Sequence, residues 1–312
     1  MTLVLSTASR PPDAARTPVS LRAGDLELLI YPELGARVGR LLRHLRNDAT
    51  FDYLVPLDPA GFDAALWPRA GCFAMLPFTN KFAANAFIWR ERVVRVADPE
   101  AAGFLHGWGL RRAWAVTDVT ERHCVMTLEV AASHAWPWDY EASQTISLDP
   151  RGVSFALAVV NRSPEPMPAG LGFHPHFPLH SGVRARVEAS ARWLAGARSN
   201  GLPENRETLA APLQFGAAPA VATARPPCSP LGPAATWFCE TAACDNALLY
   251  PAEARRVRIA SSEARYTVVH APPAGRYLCI EPGSHLAGRF DAERDIALPG
   301  QPLTLSMRIE AG

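Results

Sequence analysis

Proline and glycine divide this sequence into short segments along its whole length. Its 312 residues include 29 prolines and 21 glycines, which occur in small groups and are not gathered into one linker. The runs between them have the length and composition of strands, and helical periodicity is weak throughout. These runs are Asp25 to Tyr31, Arg92 to Ala97, Ala113 to Val119, Cys124 to Ala131, Gln144 to Leu148, Val153 to Val160, Arg255 to Ala260, Tyr266 to His270 and Tyr277 to Glu281. The sequence therefore predicts an all-β fold, most simply one large antiparallel β-sandwich.

The connections between these runs predict how the chain is organised. Asp149 to Gly152 is a four-residue turn signal between two strand-like runs, which predicts a hairpin. Ser190 to Pro212 and Phe215 to Pro233 are rich in Ala, Pro and small residues, and we expect both to be long surface connections. We expect residues 1–19 to form a loose N-terminal tail and residues 20–312 to form a single domain.

The charge balance excludes some classes of partner. There are 31 Lys and Arg residues against 30 Asp and Glu residues, so the formal net charge is +1. A protein that binds nucleic acid or an anionic membrane surface usually shows a strongly basic face, so we expect neither partner. The longest apolar runs, such as Phe155 to Val160, are far shorter than the ~20 residues that cross a bilayer.

The cysteines and the missing motifs limit the chemistry further. Six cysteines are spread along the chain without a CxxC pair, which argues against a disulfide framework or a zinc ribbon and favours a cytoplasmic protein. The sequence lacks GxGxxG, GxxxxGK[ST], GxSxG and HExxH. The usual signatures of nucleotide binding, serine hydrolysis and zinc proteolysis are therefore absent.

The densest group of chemically useful residues is His174, His176 and His180, three histidines within seven positions. In a strand, His174 and His176 would point to the same face, the spacing at which two imidazoles can bind one metal ion. The histidines could equally serve only in packing. A third interpretation is acid catalysis, because an imidazole titrates near neutral pH and can donate and recover a proton.

Glu281 is a candidate partner for such an acid. It ends an apolar run just before Pro282, where partial burial would raise the pKa of its carboxyl group. The alternative is an ordinary glutamate at the solvent-exposed end of a strand. These residues alone leave both interpretations open.

Four segments taken together resemble the aldose 1-epimerase (galactose mutarotase-like) family in their order and spacing. They are Leu76-Pro77-Phe78-Thr79-Asn80-Lys81, Leu105-His106-Gly107-Trp108, Gly170-Leu171-Gly172-Phe173-His174-Pro175-His176-Phe177 and Ile280-Glu281-Pro282. Cys244-Asp245-Asn246 adds a fifth similarity. The resemblance runs from about residue 20 to residue 305 and implies the large antiparallel β-sandwich of that family, the supersandwich.

The resemblance also implies an activity and a role for each matching residue. Glu281 would be the general base and His174 the general acid of a mutarotase that interconverts the α and β anomers of a free hexose such as galactose. Asn80, Lys81, His106 and Asp245 would bind the hydroxyl groups of this monosaccharide. No cofactor or metal is implied, and we expect a monomer or a homodimer.

Two positions depart from the family pattern. Lys81, the only lysine of the chain, stands where the family typically has arginine, and His176 stands where tyrosine is common. A lysine offers a compact charge in place of a planar fork of donors, so we expect these changes to affect substrate preference.

Several alternatives remain open at this stage. They are a hexose 6-phosphate mutarotase with Arg69 and Lys81 on the phosphate, a non-catalytic carbohydrate-binding protein of the same fold, metal chemistry at His174, His176 and His180, and a Schiff base on Lys81.

Overall fold

The computed structural model describes residues 16–66, 68–97, 104–196, 199–216, 235–272 and 276–312. Most of the predicted N-terminal tail and most of the predicted connection from Phe215 to Pro233 lie outside these ranges, as does Cys228. Within them the chain forms 24 strands, numbered β1 to β24 in chain order, and four short 3₁₀ helices. The 3₁₀ helices are Pro32–Leu34, Arg46–Asp48, Ala83–Asn85 and Gly109–Arg111.

The larger sheet has eleven strands, and all its strand pairs are antiparallel. Its strands are β1 (Val19–Ala23), β2 (Leu26–Tyr31), β3 (Arg37–His44), β4 (Thr50–Asp52), β5 (Cys72–Met75), β13 (Gly172–Pro178), β15 (Ala191–Ala195), β16 (Pro203–Thr208), β18 (Ala235–Glu240), β21 (Tyr266–Ala271) and β22 (Tyr277–Gly283). The spatial order is β1-β2-β3-β5-β13-β22-β21-β18-β15-β16, and β4 pairs with β3. The middle of this sheet is therefore formed by β5, β13, β22 and β21.

The second large sheet has nine antiparallel strands in the order β17-β14-β19-β20-β24-β11-β10-β9-β8. These are β8 (Ala115–Val119), β9 (His123–Val130), β10 (Tyr140–Asp149), β11 (Gly152–Asn161), β14 (Arg184–Val187), β17 (Leu213–Phe215), β19 (Cys244–Tyr250), β20 (Arg255–Ser261) and β24 (Pro302–Ala311). Two small pairs complete the strands, β6 (Ala86–Trp89) with β7 (Arg92–Arg95) and β12 (Met167–Pro168) with β23 (Ile296–Ala297).

The two large sheets pack face to face around one hydrophobic core. Leu21, Ile30 and Leu41 from the larger sheet belong to the same buried cluster as Met126 and Phe155 from the smaller one. The central strands contribute alternate residues to this core, because successive side chains of a strand point to opposite faces. In β10 the alternation is complete, with every second residue buried. The all-β prediction and the antiparallel sandwich are confirmed.

The strand predictions agree with the structure more closely than the loop predictions. Each of the nine predicted runs coincides with or overlaps a strand. The predicted hairpin joins β10 to β11 with Asp149 paired to Gly152, so its loop is two residues long and not four. The prediction that Ser190 to Pro212 is a connection is wrong, because β15 and β16 form there and pair at the edge of the larger sheet.

No helix among the described residues is long and apolar enough to cross a membrane. Five cysteines lie within the described residues, and all are buried free thiols, namely Cys72, Cys124, Cys239, Cys244 and Cys279.

Candidate functional site

Strand β13 separates core residues from candidate site residues by simple alternation. Phe173 and Phe177 belong to the core between the sheets, and the Phe173 ring lies 5.5 Å from the ring of Phe155 in the opposite sheet. His174 and His176 therefore point to the other face of the larger sheet. Both imidazoles are buried there, so this outer face carries a covered site and not an open surface.

The register of the neighbouring strands lines up the two predicted catalytic residues. His176 pairs with Cys279 and Gly172 pairs with Gly283, which places His174 beside Glu281 on the same face. The Nε2 atom of His174 lies 3.4 Å from the Oε1 atom of Glu281. The structure thus brings together the proposed acid and the proposed base.

These two residues form part of the floor of a cavity of about 350 Å³. That volume is in the range of small-molecule sites, about 300–1,000 Å³. The cavity is also lined by Asn80, Lys81 and His106, so five of the six residues predicted from the sequence meet at one place.

Burial acts on both members of the central pair. It raises the pKa of the Glu281 carboxyl group well above its usual value. It lowers the pKa of His174 well below the usual value, and the neighbouring imidazoles of His176 and His106 lower it further. Because burial disfavours charge on either group, the neutral arrangement, a carboxylic acid beside a neutral imidazole, is favoured over the ion pair. The arrangement can exchange one proton between its two members, which is the requirement for paired acid–base chemistry.

The His174 ring is fixed by aromatic neighbours on three sides. It stacks on Phe73 with a centroid distance of 4.8 Å and on His176 with a centroid distance of 4.5 Å. The His106 ring meets it edge-on at 4.9 Å. Behind Phe73 the guanidinium of Arg37 lies 4.3 Å from the ring centroid, a cation–π contact in the protein interior. The orientation of the acid is therefore set by packing.

Two segments that hydrogen-bond each other hold the predicted hydroxyl-binding residues at the cavity. The backbone N–H of His106 donates to the carbonyl oxygen of Asn80 at 2.7 Å, and the N–H of Asn80 donates to Nδ1 of His106 at 3.1 Å. Both residues have φ near +60°, where non-glycine residues are uncommon. At Gly107 a Cβ atom would lie 2.0 Å from the carbonyl oxygen of Leu76, so only glycine fits that close approach.

Asp245, which was predicted to bind a sugar hydroxyl, does not line this cavity. It lies in β19 of the smaller sheet, half exposed, and accepts hydrogen bonds from the Arg258 guanidinium at 2.6 and 3.1 Å. Asp245 lines a separate shallow surface depression with Arg258 and Arg308. The position of Asp245 therefore does not agree with its predicted role, and we correct that assignment. The error arose because a short Asp-Asn segment carries no information on which sheet holds its strand.

The three histidines considered as a metal site are not together. His180 lies away from the other two, 2.7 Å from a carboxylate oxygen of Glu253. Cys279 takes its place near His174 and His176, with one potential ligand atom from each of the three residues lying within 4.8 Å of the others. This group could hold a thiophilic metal ion, but burial and the nearby Glu281 raise the pKa of the Cys279 thiol, which opposes the thiolate that a metal needs.

Several cavity residues were not predicted as part of the site. His270, Tyr277, Thr236 and Phe238 line it from β21, β22 and β18. The position of Tyr277 could have been predicted from alternation, because it is four residues before Glu281 and so lies on the same face of β22. No comparable signal existed for His270 and Thr236, because their position depends on the pairing of β21 with β22 and of β18 with β21.

Comparisons with known proteins agree with this geometry. Residues 18–282 match the family model described as aldose 1-epimerase. Among curated proteins, the chain is 30% identical over 142 residues to the uncharacterized protein YphB of Escherichia coli K12. That alignment covers 45% of this chain and 48% of YphB, so it spans about half the length of the relative.

Solved structures share the fold over nearly the whole chain. A protein from Escherichia coli K12, described provisionally as an aldose 1-epimerase, matches with a TM-score of 0.76 at 22% identity, covering 95% of this chain and 99% of its own. A galactose mutarotase-like protein from Clostridium acetobutylicum matches with a TM-score of 0.75 at 16% identity, covering 94% of each chain. At these identities the similarity establishes the fold.

Proposed function

The chain belongs to the aldose 1-epimerase family, and on that premise we propose that it interconverts the α and β anomers of a hexose by acid–base ring opening. The observation that carries the proposal is the buried contact of 3.4 Å between His174 Nε2 and Glu281 Oε1 on the floor of the cavity. A general acid and a general base must act on two neighbouring oxygens of one hemiacetal, and this pair is close enough to do so.

The chemistry needs one proton on the pair. With His174 protonated and Glu281 ionised, the carboxylate takes the proton from the anomeric hydroxyl while the imidazolium donates its proton to the ring oxygen. The C1–O5 bond breaks, C1 becomes the aldehyde carbon, and O5 becomes a hydroxyl. Rotation about C1–C2 and the reverse proton transfers close the ring as the other anomer. No proton is gained or lost overall, and no electron is transferred.

Burial helps the ring-opening direction electrostatically. Proton transfer through the sugar converts the ion pair into a carboxylic acid and a neutral imidazole, the state that desolvation favours. Substrate hydroxyls in the cavity would compensate part of the cost of the charged state. The two states of the pair are therefore brought closer in free energy, which suits a reaction that must run both ways.

The remaining predicted residues would bind the sugar. Asn80, Lys81 and His106 lie on two adjoining segments that line the cavity, and they present an amide, an ammonium and an imidazole to hydroxyl groups. The free hexose predicted first and the hexose phosphate predicted as its alternative contain the same hemiacetal, so this mechanism applies to both. A cytoplasmic location belongs to the same proposal, since buried free thiols suit a reducing compartment.

The test is the rate at which freshly dissolved α-D-glucose or α-D-galactose reaches anomeric equilibrium, followed by polarimetry or NMR. We expect the wild-type protein to accelerate the approach, and Glu281→Gln and His174→Asn each to reduce the acceleration by about 10²- to 10⁴-fold. His180→Asn, which removes an imidazole outside the cavity, is the matched control. Variants as fast as wild type would exclude the acid–base mechanism. Sugar binding without any acceleration by the wild type would favour a carbohydrate-binding protein instead.

A further inference from the structure

Cations outnumber carboxyl groups among the side chains that line the cavity. Among the described residues that line it, Glu281 has the only carboxyl group, while Arg69 and Lys81 are cations. Neutral sugars offer hydroxyls that donate as well as accept, so they do not require a cation. Two cations beside a single carboxyl group are better matched to a ligand that carries negative charge.

The groups suited to an anion lie toward the N-terminal end of β5, whereas Asn80 follows its C-terminal end. Strand register places His270 beside Cys279 and Thr236 beside His270. Tyr277 lies two residues before Cys279 in β22, on the same face of the strand. Arg69 enters at this end from the segment before β5 and hydrogen-bonds the Tyr277 side chain. We call Arg69, Tyr277 and His270 the basic end of the cavity.

Each group at the basic end can donate to an anion. The Thr236 hydroxyl and Nδ1 of His270 are 2.9 Å apart, so when the hydroxyl donates, the imidazole proton resides on Nε2. Burial raises the pKa of Tyr277 to about 12, so its phenol keeps its proton at neutral pH. Arg69 adds a planar guanidinium of the kind that matches two oxygens of a phosphate or carboxylate. Its Nη1 also donates to the carbonyl oxygen of Leu66 at 2.7 Å, which holds the side chain in place.

The spacing along the strands fits a substituent of the reacting sugar. Cys279, which faces His270, is two residues from Glu281, and a strand rises about 3.3 Å per residue. His270 is therefore offset by about 7 Å along the strand direction from the base that would act at C1. A group attached to C6 of a pyranose lies on the same side as the ring oxygen and reaches outward over such a distance.

We propose that Arg69, Tyr277 and His270 bind an anionic group on C6 of the substrate, a phosphate or a carboxylate, and that the protein prefers an anionic aldose over a neutral one. This inference rests on the proposed function, because it places the hemiacetal of the same sugar against His174 and Glu281. It assigns Arg69 the role of a specificity-determining residue, while Lys81 lies beside Asn80.

The test compares three sugars that share a hemiacetal, namely glucose, glucose 6-phosphate and glucuronate, with anomer exchange measured by NMR. We expect kcat/KM of the wild type to be at least about 10-fold higher for one or both anionic sugars, the effect of a charged hydrogen bond. Arg69→Met should reduce the ratio of anionic to neutral kcat/KM by about 10- to 100-fold, mainly through KM. Arg184→Met, which removes an exposed arginine from β14, is the matched control.

The outcomes separate the source of the anion and separate this inference from the proposed function. Preference for glucose 6-phosphate identifies a phosphate, and preference for glucuronate identifies a carboxylate. Equal kcat/KM for all three sugars, or an equal loss for all three in Arg69→Met, would overturn the anionic preference while leaving the mutarotase activity intact.

Binding of inorganic phosphate, measured by calorimetry on wild type and Arg69→Met, tests the basic end without catalysis. Phosphate binding that is lost in Arg69→Met, together with no acceleration of any sugar, would support the anion site and overturn the proposed function. Absence of phosphate binding together with absence of anionic preference would overturn the anion site.

Discussion

The Nε2 atom of His174 lies 3.4 Å from the Oε1 atom of Glu281, and both side chains are buried. Two buried groups this close do not titrate independently, because the proton of one determines the charge that the other feels. Burial raises the pKa of the carboxyl group and lowers that of the imidazole. The pair consequently holds a single proton over a wide range of pH.

The first prediction concerns the pH dependence of kcat. Below the depressed pKa of the imidazole the pair gains a second proton and loses its base, so activity falls on the acid side below pH 6.5. Above the raised pKa of the carboxyl group the pair loses its only proton and its acid, so the alkaline fall comes well above the ordinary carboxyl range. We expect a broad bell-shaped dependence of kcat on pH, measured by NMR exchange after subtraction of the uncatalysed rate. A profile that only rises through the pKa of an ordinary imidazole would contradict the coupled pair.

The second prediction concerns Arg37, which lies behind Phe73 and contacts no part of the cavity. Its Nη1 donates to the carbonyl oxygens of Pro68 and Ala70 at 3.0 and 2.8 Å, which hold the segment that carries Arg69. After burial and the neighbouring imidazoles, the positive charge of Arg37 is a further cause of the low pKa of His174.

Replacement of Arg37 by methionine removes that charge. We expect the acid side of the activity profile to move to higher pH in Arg37→Met and to stay near the wild-type position in Arg37→Lys, which keeps the charge. Circular dichroism confirms that each variant is folded. An equal shift in both variants would mean that Arg37 acts only through packing.

The central pair was predicted from the resemblance to a family, because the residues alone left the burial of Glu281 open. What local information supplied was the common face of His174 and His176, which follows from alternation within a single strand. The strands themselves were predictable for a similar reason, since proline and glycine mark their ends. These features depend on a few consecutive residues.

The rest of the site depends on contacts between distant segments. His270 reaches the cavity because β21 pairs with β22, and Arg69 reaches it because the turn before β5 is anchored by Arg37 from β3. The misplacement of Asp245 has the same origin, because its sheet is decided by the pairing of β19 with β14 and β20. β15 and β16 were missed because the segment that contains them is rich in Ala, Pro and small residues. They form because β15 pairs with β18 and with β16, which is the edge strand of the larger sheet.

The third prediction concerns Lys81, which lines the cavity beside Asn80 and whose backbone N–H donates to Oδ1 of Asn80 at 3.0 Å. Lys81→Arg replaces a single ammonium by a planar fork that can bind two adjacent hydroxyls. We expect a change in the relative kcat/KM values of aldoses that differ in hydroxyl configuration, with a smaller change in kcat. Unchanged kinetics across a panel of such aldoses would show that Lys81 does not contribute to selectivity.

The fourth prediction tests the corrected position of Asp245. Because its carboxylate pairs with Arg258 on the outside of the smaller sheet, Asp245→Asn should leave the kinetics of anomer exchange unchanged. The loss of a half-exposed ion pair should reduce the free energy of unfolding by at most about 1 kcal/mol. A large fall in kcat/KM would instead show that Asp245 takes part in sugar binding, as the sequence predicted.

The fifth prediction concerns stability in acid. Burial is the largest cause of the lowered pKa values of five imidazoles, those of His106, His174, His176, His270 and His285. Between about pH 5 and pH 6.5 the unfolded chain protonates these imidazoles while the folded protein does not. Glu281 and Asp295 act in the opposite sense, since their raised pKa values keep protons that the unfolded chain has lost.

The imidazoles outnumber the two carboxyl groups, so the unfolded state binds more protons in this range and the free energy of unfolding rises with pH. Each proton of the difference contributes about 1.4 kcal/mol per pH unit. Urea denaturation at several pH values measures the slope, and His176→Gln should lower it by about one proton, because burial holds the pKa of His176 at about 3. His134→Gln, which removes an exposed imidazole, is the matched control. A free energy of unfolding that is constant or falls between pH 5 and pH 6.5 would mean that the buried imidazoles are protonated in the folded protein.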